Sequence, residues 1–378
     1  MVTKARSVAL LATLSLPAVA QQPVDLGELL APIRTEHGVP ALGAAVLVDG
    51  TLHALGVDGV RKHGEDRKVT VDDLWHLGSC TKAMTATWLA MLVEDGKLQW
   101  TTTVAEAMPD LVDDLHPTAT GITVAALLQH RAGLPAGPPR ALWAELFRYE
   151  GSDREARTDV ARALLRQPVE AELGQRYLYS NASYMIAGAI GERVTGSGWQ
   201  QQLRSRLFAP LGMQRVGFGP PGDRDALDQP WGHRRSGERI TPVFGDNPSS
   251  LGPAGTVHAS LADWARFAAL HLGPARLQEQ RQDAHQSEKP KPPLLRAATL
   301  RALHTPPPEG PYALGWNVTR RGWAPGPILS HSGSNTMWYC VAWLAPEAGF
   351  GVLVTCNQGD AGKACDAVAA ACIRRFRR

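Results

Sequence analysis

Apolar and polar positions along this chain follow two periods, and the switch between them divides it into three stretches. Residues 43–49 and 51–56 are short apolar-rich runs separated by Asp49-Gly50, a dipeptide suited to a tight turn, and they predict a pair of strands. Beyond Gly78 the character changes. Apolar Met84, Trp88, Leu89 and Met91 fall among helix-favouring residues and predict a helix that begins at Ser79 and ends near Gly96. From Thr101 to about Gly273 helical segments dominate, broken by Pro/Gly loops, with helices expected over 141–150, 153–166, 182–194, 199–208 and 261–272. Ser260, with Asp263 three residues on, caps the last of these. Residues 273–293 are polar and Pro-rich and read as a surface loop. Strand patterns return at 312–319, 338–344 and 351–356, and residues 360–378 read as a closing helix. Strands at both ends with helices between predict an α/β (α+β) fold. Its antiparallel sheet, flanked by helices, is built from the N- and C-terminal parts (about 21–100 and 295–378). A mostly helical subdomain (about 101–294) is inserted into what is otherwise a single domain, 21–378.

Length allows one large core or two packed layers in the 378 residues. The balance of 39 Lys and Arg against 36 Asp and Glu gives a net charge of +3, too small to imply a nucleic-acid partner. The basic end, Arg374-Arg375-Phe376-Arg377-Arg378, suits the C-terminal dipole of a helix. Residues 1–20 have the layout of a cleavable secretory signal: Lys4 and Arg6, an apolar run over 8–16, and Ala18-Val19-Ala20 before Gln21. That run is too short to span a bilayer, and no later stretch is longer. A soluble protein exported to a bacterial periplasm or beyond is expected.

Ser79-Cys80-Thr81-Lys82 is the only Ser-x-x-Lys in the chain. On a helix, residues three apart share a face, so Lys82 can reach the Ser79 hydroxyl. A hydroxyl becomes a nucleophile when a base takes its proton, and burial lowers a lysine's pKa toward that role. An idle lysine would also be costly to bury in so apolar a helix. Tyr179-Ser180-Asn181 is the only Tyr-x-Asn and precedes an apolar helix. A tyrosine beside a lysine can hold or pass a proton, and an asparagine amide can both donate and accept. Ser180 or Asn181 also suits an ordinary helix cap. His331-Ser332-Gly333 lies in β-rich sequence, where a glycine permits close backbone approach, as a substrate laid along that strand requires. His-x-Gly also occurs at His76 and His271, so this element gains weight only from its context.

Taken in order, Ser-x-x-Lys, Tyr-x-Asn about a hundred residues on, and His-x-Gly near the C-terminus resemble the penicillin-recognising serine hydrolases. That group comprises class C β-lactamases, D-Ala-D-Ala carboxypeptidases, D-aminopeptidases and related esterases. Leu127-Leu128-Gln129-His130-Arg131-Ala132-Gly133-Leu134, Leu211-Gly212-Met213, Gly252-Pro253-Ala254-Gly255 and Tyr312-Ala313-Leu314-Gly315-Trp316 are similar to further stretches of the same group. The resemblance runs from about residue 26 to the C-terminus. It implies Ser79 as nucleophile, Lys82 as its base, Tyr179 as proton shuttle and Asn181 as the group that orients the acyl amide or ester. It also implies a substrate strand at His331, Gly333 and Ser334, with the Ser79 and Ser334 N–H groups as oxyanion donors, no cofactor, and a small-molecule or peptide substrate. The third motif departs from most class C β-lactamases, which have lysine where this chain has His331. A neutral histidine holds a carboxylate less firmly, so an esterase or D-specific peptidase is favoured over an efficient β-lactamase. The chain has neither His-Glu-x-x-His nor a Gly-x-Ser-x-Gly elbow. The competing function is a slow or non-catalytic penicillin-binding receptor, against which the intact Ser79, Lys82, Tyr179 and Asn181 argue.

Five cysteines remain. Cys80 is expected to pack inward, and Cys365 and Cys372 to share a helix face without meeting. If the last hairpin is symmetric about Ala348, Cys340 and Cys356 lie opposite each other, and export permits a disulfide there. Two buried thiols fit the sequence equally well.

Overall fold

The computed structural model describes residues 22–273 and 293–377. The secretory leader and nearly all of the 273–293 loop expected from the sequence lie outside those residues. The strands are β1 (Val24–Asp25), β2 (Ala41–Val48), β3 (Thr51–Gly59), β4 (Leu74–His76), β5 (Val216–Phe218) and β6 (Gly232–Ser236). They continue with β7 (Arg239–Val243), β8 (Val257–Ser260), β9 (Asn317–Arg320), β10 (Pro327–Ser334), β11 (Tyr339–Ala345) and β12 (Phe350–Cys356). Seven form one sheet in the order β1-β3-β2-β12-β11-β10-β9, antiparallel except for the β1–β3 pair. N-terminal and C-terminal segments thus meet at β2–β12. The β2–β3 turn falls at Asp49-Gly50, both with positive φ, as its composition requires.

Alternation along the strands feeds two apolar layers. Ala41, Ala45 and Leu47 of β2, with Cys340, Ala342 and Leu344 of β11, face the helical side. Leu42, Ala44 and Val46 of β2, with Val352, Val354 and Cys356 of β12, face the other layer. The longer helices are α1 (Gly27–His37), α2 (Thr81–Glu94), α3 (Asp153–Leu165), α4 (Asn181–Thr195), α5 (Leu261–Leu272) and α6 (Gly362–Phe376). Helices α1 and α6 cover the second layer, and α5 lies on the first together with α2, which is buried on nearly every side.

The region between residues 101 and 294 is less purely helical than its pattern predicts. It contains β5 and β8, with β8 pairing both β4 and β5 in a three-stranded sheet, and the β6–β7 hairpin. Arg234, Arg235 and Arg239 make that hairpin too polar to read as strands. The helix expected at 199–208 changes at Leu203 from α to a wider π turn, and the one expected at 141–150 covers Arg140–Leu146. The strand expected at 312–319 is only Asn317–Arg320, with Tyr312 joined to Asn317 by an isolated bridge.

The last hairpin overturns the expected cysteine pairing. A three-residue 3₁₀ turn, Pro346–Ala348, followed by left-handed Gly349, sets Ala345 opposite Phe350. Cys340 therefore faces Thr355, and Cys356 faces Tyr339. Being out of register by one, the two cysteines lie on opposite faces of the sheet. All five cysteines are free and buried. Cys340 instead lies 3.5 Å, sulfur to sulfur, from Cys80.

Candidate active site

The nucleophile turn is set by two glycines that press together. Gly78 has φ +45°, and a Cβ there would come within 2.4 Å of the Ser334 nitrogen. A Cβ on Gly333 would lie 2.0 Å from the Leu77 carbonyl and 2.9 Å from the Ser79 nitrogen. Only glycine at both positions lets β10 lie against the turn that carries Ser79, and the contact brings the Ser79 and Ser334 backbone N–H groups to one place. Ser79 lies in a 3₁₀ turn, Gly78–Cys80, and α2 proper starts at Thr81.

One turn on, Lys82 is fully buried. Its Nζ lies 3.0 Å from Ser79 Oγ, 2.8 Å from Asn181 Oδ1 and 2.7 Å from the Ala254 carbonyl. Three acceptors match the three N–H bonds of an ammonium. When the amine is neutral, two of those bonds persist and the lone pair can take the serine proton. Burial brings its pKa down to about 7, so both forms are accessible at neutral pH. Tyr179 Oη donates to the same Ser79 Oγ at 2.7 Å. The rim of Tyr179 is open, with 37% of the residue exposed, but its hydroxyl end is enclosed. Burial raises its pKa, so at neutral pH it is a phenol that can donate a proton, not a phenolate base.

The Tyr179 loop is held by groups remote in sequence. Ser180 caps α4 by accepting from Ser183 N–H at 3.0 Å. Ser180 N–H donates to His130 Nδ1 at 3.1 Å, and the buried His130 ring lies 4.4 Å from the Tyr179 ring and 4.7 Å from that of Tyr312. Burial, with the Lys82 charge adding to it, keeps His130 neutral well below its ordinary pKa.

His331, buried on β10, has both ring nitrogens engaged. Nδ1 lies 2.7 Å from the Ser332 carbonyl, which can only accept, so the ring proton is assigned there. Nε2 is then left to accept from the Tyr312 hydroxyl at 2.8 Å. In this arrangement neutral His331 presents no free N–H to a ligand. Beyond Ser330, β10 has no strand partner on its outer side among the described residues, because β9 pairs only with Pro327–Ser330. The open edge His331–Ser334 therefore runs past Ser79, the kind of edge to which an extended ligand can add.

A second network braces the turn from below. His76 Nε2 pairs with Asp246 Oδ2 at 2.7 Å, and Gly78 N–H donates to His76 Nδ1 at 3.1 Å. Asn335, next to Ser334, donates to Asp246 Oδ1 at 3.0 Å. Asp246 thus ties the residue before Ser79 to the residue after Ser334. Nothing in the local sequence marks Asp246, which lies in a loop 170 residues from its partner histidine.

All of Ser79, Lys82, Tyr179, Asn181, His331, Gly333 and Ser334 converge here. Their order along the chain and this geometry agree with what the comparison with known proteins finds: the pattern that defines the Beta-lactamase family matches residues 26–371. The chain belongs to the Beta-lactamase family. Among curated members it is 36% identical over 247 residues to penicillin-binding protein 4 of Amycolatopsis lactamdurans, covering 64% of this chain and 61% of that one. It is 26% identical over 340 residues to the unguisins hydrolase ungD of Aspergillus violaceofuscus, covering 85% and 58%. The chain thus spans about three fifths of the length of each of these relatives. The D-amino acid amidase of Ochrobactrum anthropi SV3, solved with L-phenylalanine amide, superposes with a TM-score of 0.71. It is 22% identical and the match covers 93% of this chain and 98% of that one, a likeness of fold.

Proposed function

We propose that this protein is an exported serine hydrolase that works through an acyl-enzyme on an ester, D-peptide or β-lactam-like amide. The observation that carries the reading is the convergence of Lys82 Nζ and Tyr179 Oη on Ser79 Oγ, with the lysine poised at about pH 7. Ser79 Oγ bonds to the carbonyl carbon while its proton passes to neutral Lys82. The carbonyl oxygen, now negative, is held by the Ser79 and Ser334 N–H groups, the arrangement that stabilises such charge most. The bond to the leaving group breaks as Tyr179 gives that group a proton, which Lys82 replaces. Water then attacks the acyl-enzyme by the same route in reverse, its proton taken through Tyr179 and Lys82, and Ser79 Oγ is released.

The two curated relatives carry names for penicillin binding and for hydrolysis of unguisins, which supports reading this chain as a hydrolase. His331 supports placing esters and uncharged D-amides ahead of penicillins. Both of its nitrogens are engaged inside the protein, so no ring N–H is free to donate to a penicillin carboxylate. Among the described residues no helix is long and apolar enough to cross a membrane.

A serine-directed fluorophosphonate tests the reading. Stoichiometric labelling of Ser79 is expected, and Ser79→Ala should abolish labelling together with ester turnover. Full labelling of that variant would refute the assignment. Labelling of the wild type without turnover of any ester, D-amide or penicillin would make it a slow-turnover penicillin-binding receptor.

A further inference from the structure

A cleft of about 490 Å³ opens beside Tyr179 and runs away from Ser79 across the outer part of β10 to α6. Tyr179, Tyr312, Tyr339 and Trp343 form its aromatic walls, and Asp366 of α6 contributes the carboxylate at its far end. No lysine or arginine is among the described residues that line it. Asp366 has no hydrogen bond or ion pair among the described residues, and partial burial pushes its carboxyl above the ordinary range. The neighbouring Arg321 stacks over the Trp343 ring at 5.5 Å and makes no ion pair with Asp366. This carboxylate therefore has access to a ligand in the cleft.

The geometry of attack says which part of a substrate enters. This step rests on the function proposed above. With the carbonyl carbon on Ser79 Oγ and its oxygen toward the Ser79 and Ser334 N–H groups, the departing group must point at its proton donor. That donor is Tyr179, which is itself one wall of the cleft. We propose that the cleft binds the leaving group and selects an aromatic one that carries a positive charge over one that carries a carboxylate. Aromatic faces attract a cation and stack on an aryl ring. Asp366 adds a favourable charge for an ammonium and an unfavourable one for a carboxylate. The preferred substrate class is thus an ester or amide of an aryl alcohol or amine bearing an ammonium group.

The test uses three acetate esters on the full-length enzyme: of phenol, of trimethylammoniophenol and of 4-hydroxybenzoate. Because the leaving group is expelled during acylation, kcat/KM reports its recognition. Asp366→Asn should lower kcat/KM for the cationic ester by about fivefold relative to phenyl acetate, the effect expected of one partly exposed charge pair. The carboxylate ester should gain by a similar factor, and Asp366→Lys should reverse the order of the charged pair. Comparing one ester across variants cancels differences in phenol reactivity. Asp366 is exposed on α6, and an unchanged Tm together with full fluorophosphonate labelling of Ser79 serves as the folding control. Ratios that stay at the wild-type value in both variants, with Ser79 fully labelled by fluorophosphonate, would overturn the cleft assignment alone. Failure of the wild type to label or to turn over any of the three would overturn it together with the acyl-enzyme reading.

Discussion

In the proposed mechanism the chemistry turns on Lys82, because its environment asks for two protonation states at once. Removal from water disfavours the ammonium, while Ser79, Asn181 and Ala254 offer it three acceptors. Burial dominates and brings the group down to about 7. Acylation needs the free amine, so kcat/KM should fall tenfold per pH unit below about 7 and level off above it. A profile flat from pH 5 to 8 would exclude Lys82 as the base. Tyr179, raised by burial, stays protonated across this range and cannot produce that limb. Its share is proton delivery, and Tyr179→Phe should cost 10²–10⁴-fold in kcat while keeping the ring packing on His130. Equal kcat for wild type and Tyr179→Phe on both an ester and an amide would remove the hydroxyl from the mechanism.

At the scale of elements, a buried ion pair ties two helices of the helical region together. Arg157 of α3 meets Glu192 of α4 at 3.0 and 2.5 Å, with both side chains almost completely shielded. Glu192 also accepts from Trp199 N–H, and Arg157 reaches Gln200. Since α4 begins with Asn181, this junction also bears on the position of the Asn181 amide beside Lys82. Glu192→Gln leaves the guanidinium buried without its countercharge and should lower the unfolding free energy by about 3–5 kcal/mol. Urea unfolding at constant slope measures this, and a loss under 1 kcal/mol would show that solvent or Gln200 compensates. What was legible in the sequence follows the same division by range. Ser79 with Lys82 and Tyr179 with Asn181 are local pairs, fixed by one helical turn or one loop, so spacing alone exposes them. His130 and Ala254 lie in stretches that the sequence flags only as similar to the family, without saying what they touch, and Asp246 reaches the turn from a distant loop that no short-range pattern marks. The hairpin at Pro346–Ala348 shows how narrow the margin is. A centre displaced by half a residue moves the partner of Cys340 from Cys356 to Thr355 and turns the two thiols to opposite faces.

The molecule as a whole carries a store of neutral histidines that makes it sensitive to acid. His130 and His271 are held well below the ordinary histidine range by burial, and His233, His258 and His304 are brought to about 4 by the same cause. They are spread over distinct parts of the fold: behind the Tyr179 loop, on β6, on β8, and at the junction of α5 with the helix Ala297–His304. At that junction His271 Nδ1 lies 2.9 Å from His304 Nε2, room for one shared proton and not for two. In the unfolded chain each takes up a proton near pH 6.5. Because the folded values are lower, the unfolded state binds more protons as the pH falls. The stability is therefore complete above about 6.5 and is lost progressively toward about 4. For a histidine shifted from 6.5 to about 4, the loss between pH 7 and 5 is about 2 kcal/mol. Summed over the three with that value, this should lower Tm by on the order of 5–10 °C over the same interval, before the bulk of the carboxylates titrate. Calorimetry at pH 7, 6 and 5 checks the slope, and His304→Gln should flatten it by removing one group of the buried pair. A Tm that holds steady from pH 7 to 5, or a His304→Gln slope equal to that of the wild type, would mean that the folded protein opens to admit these protons at little cost.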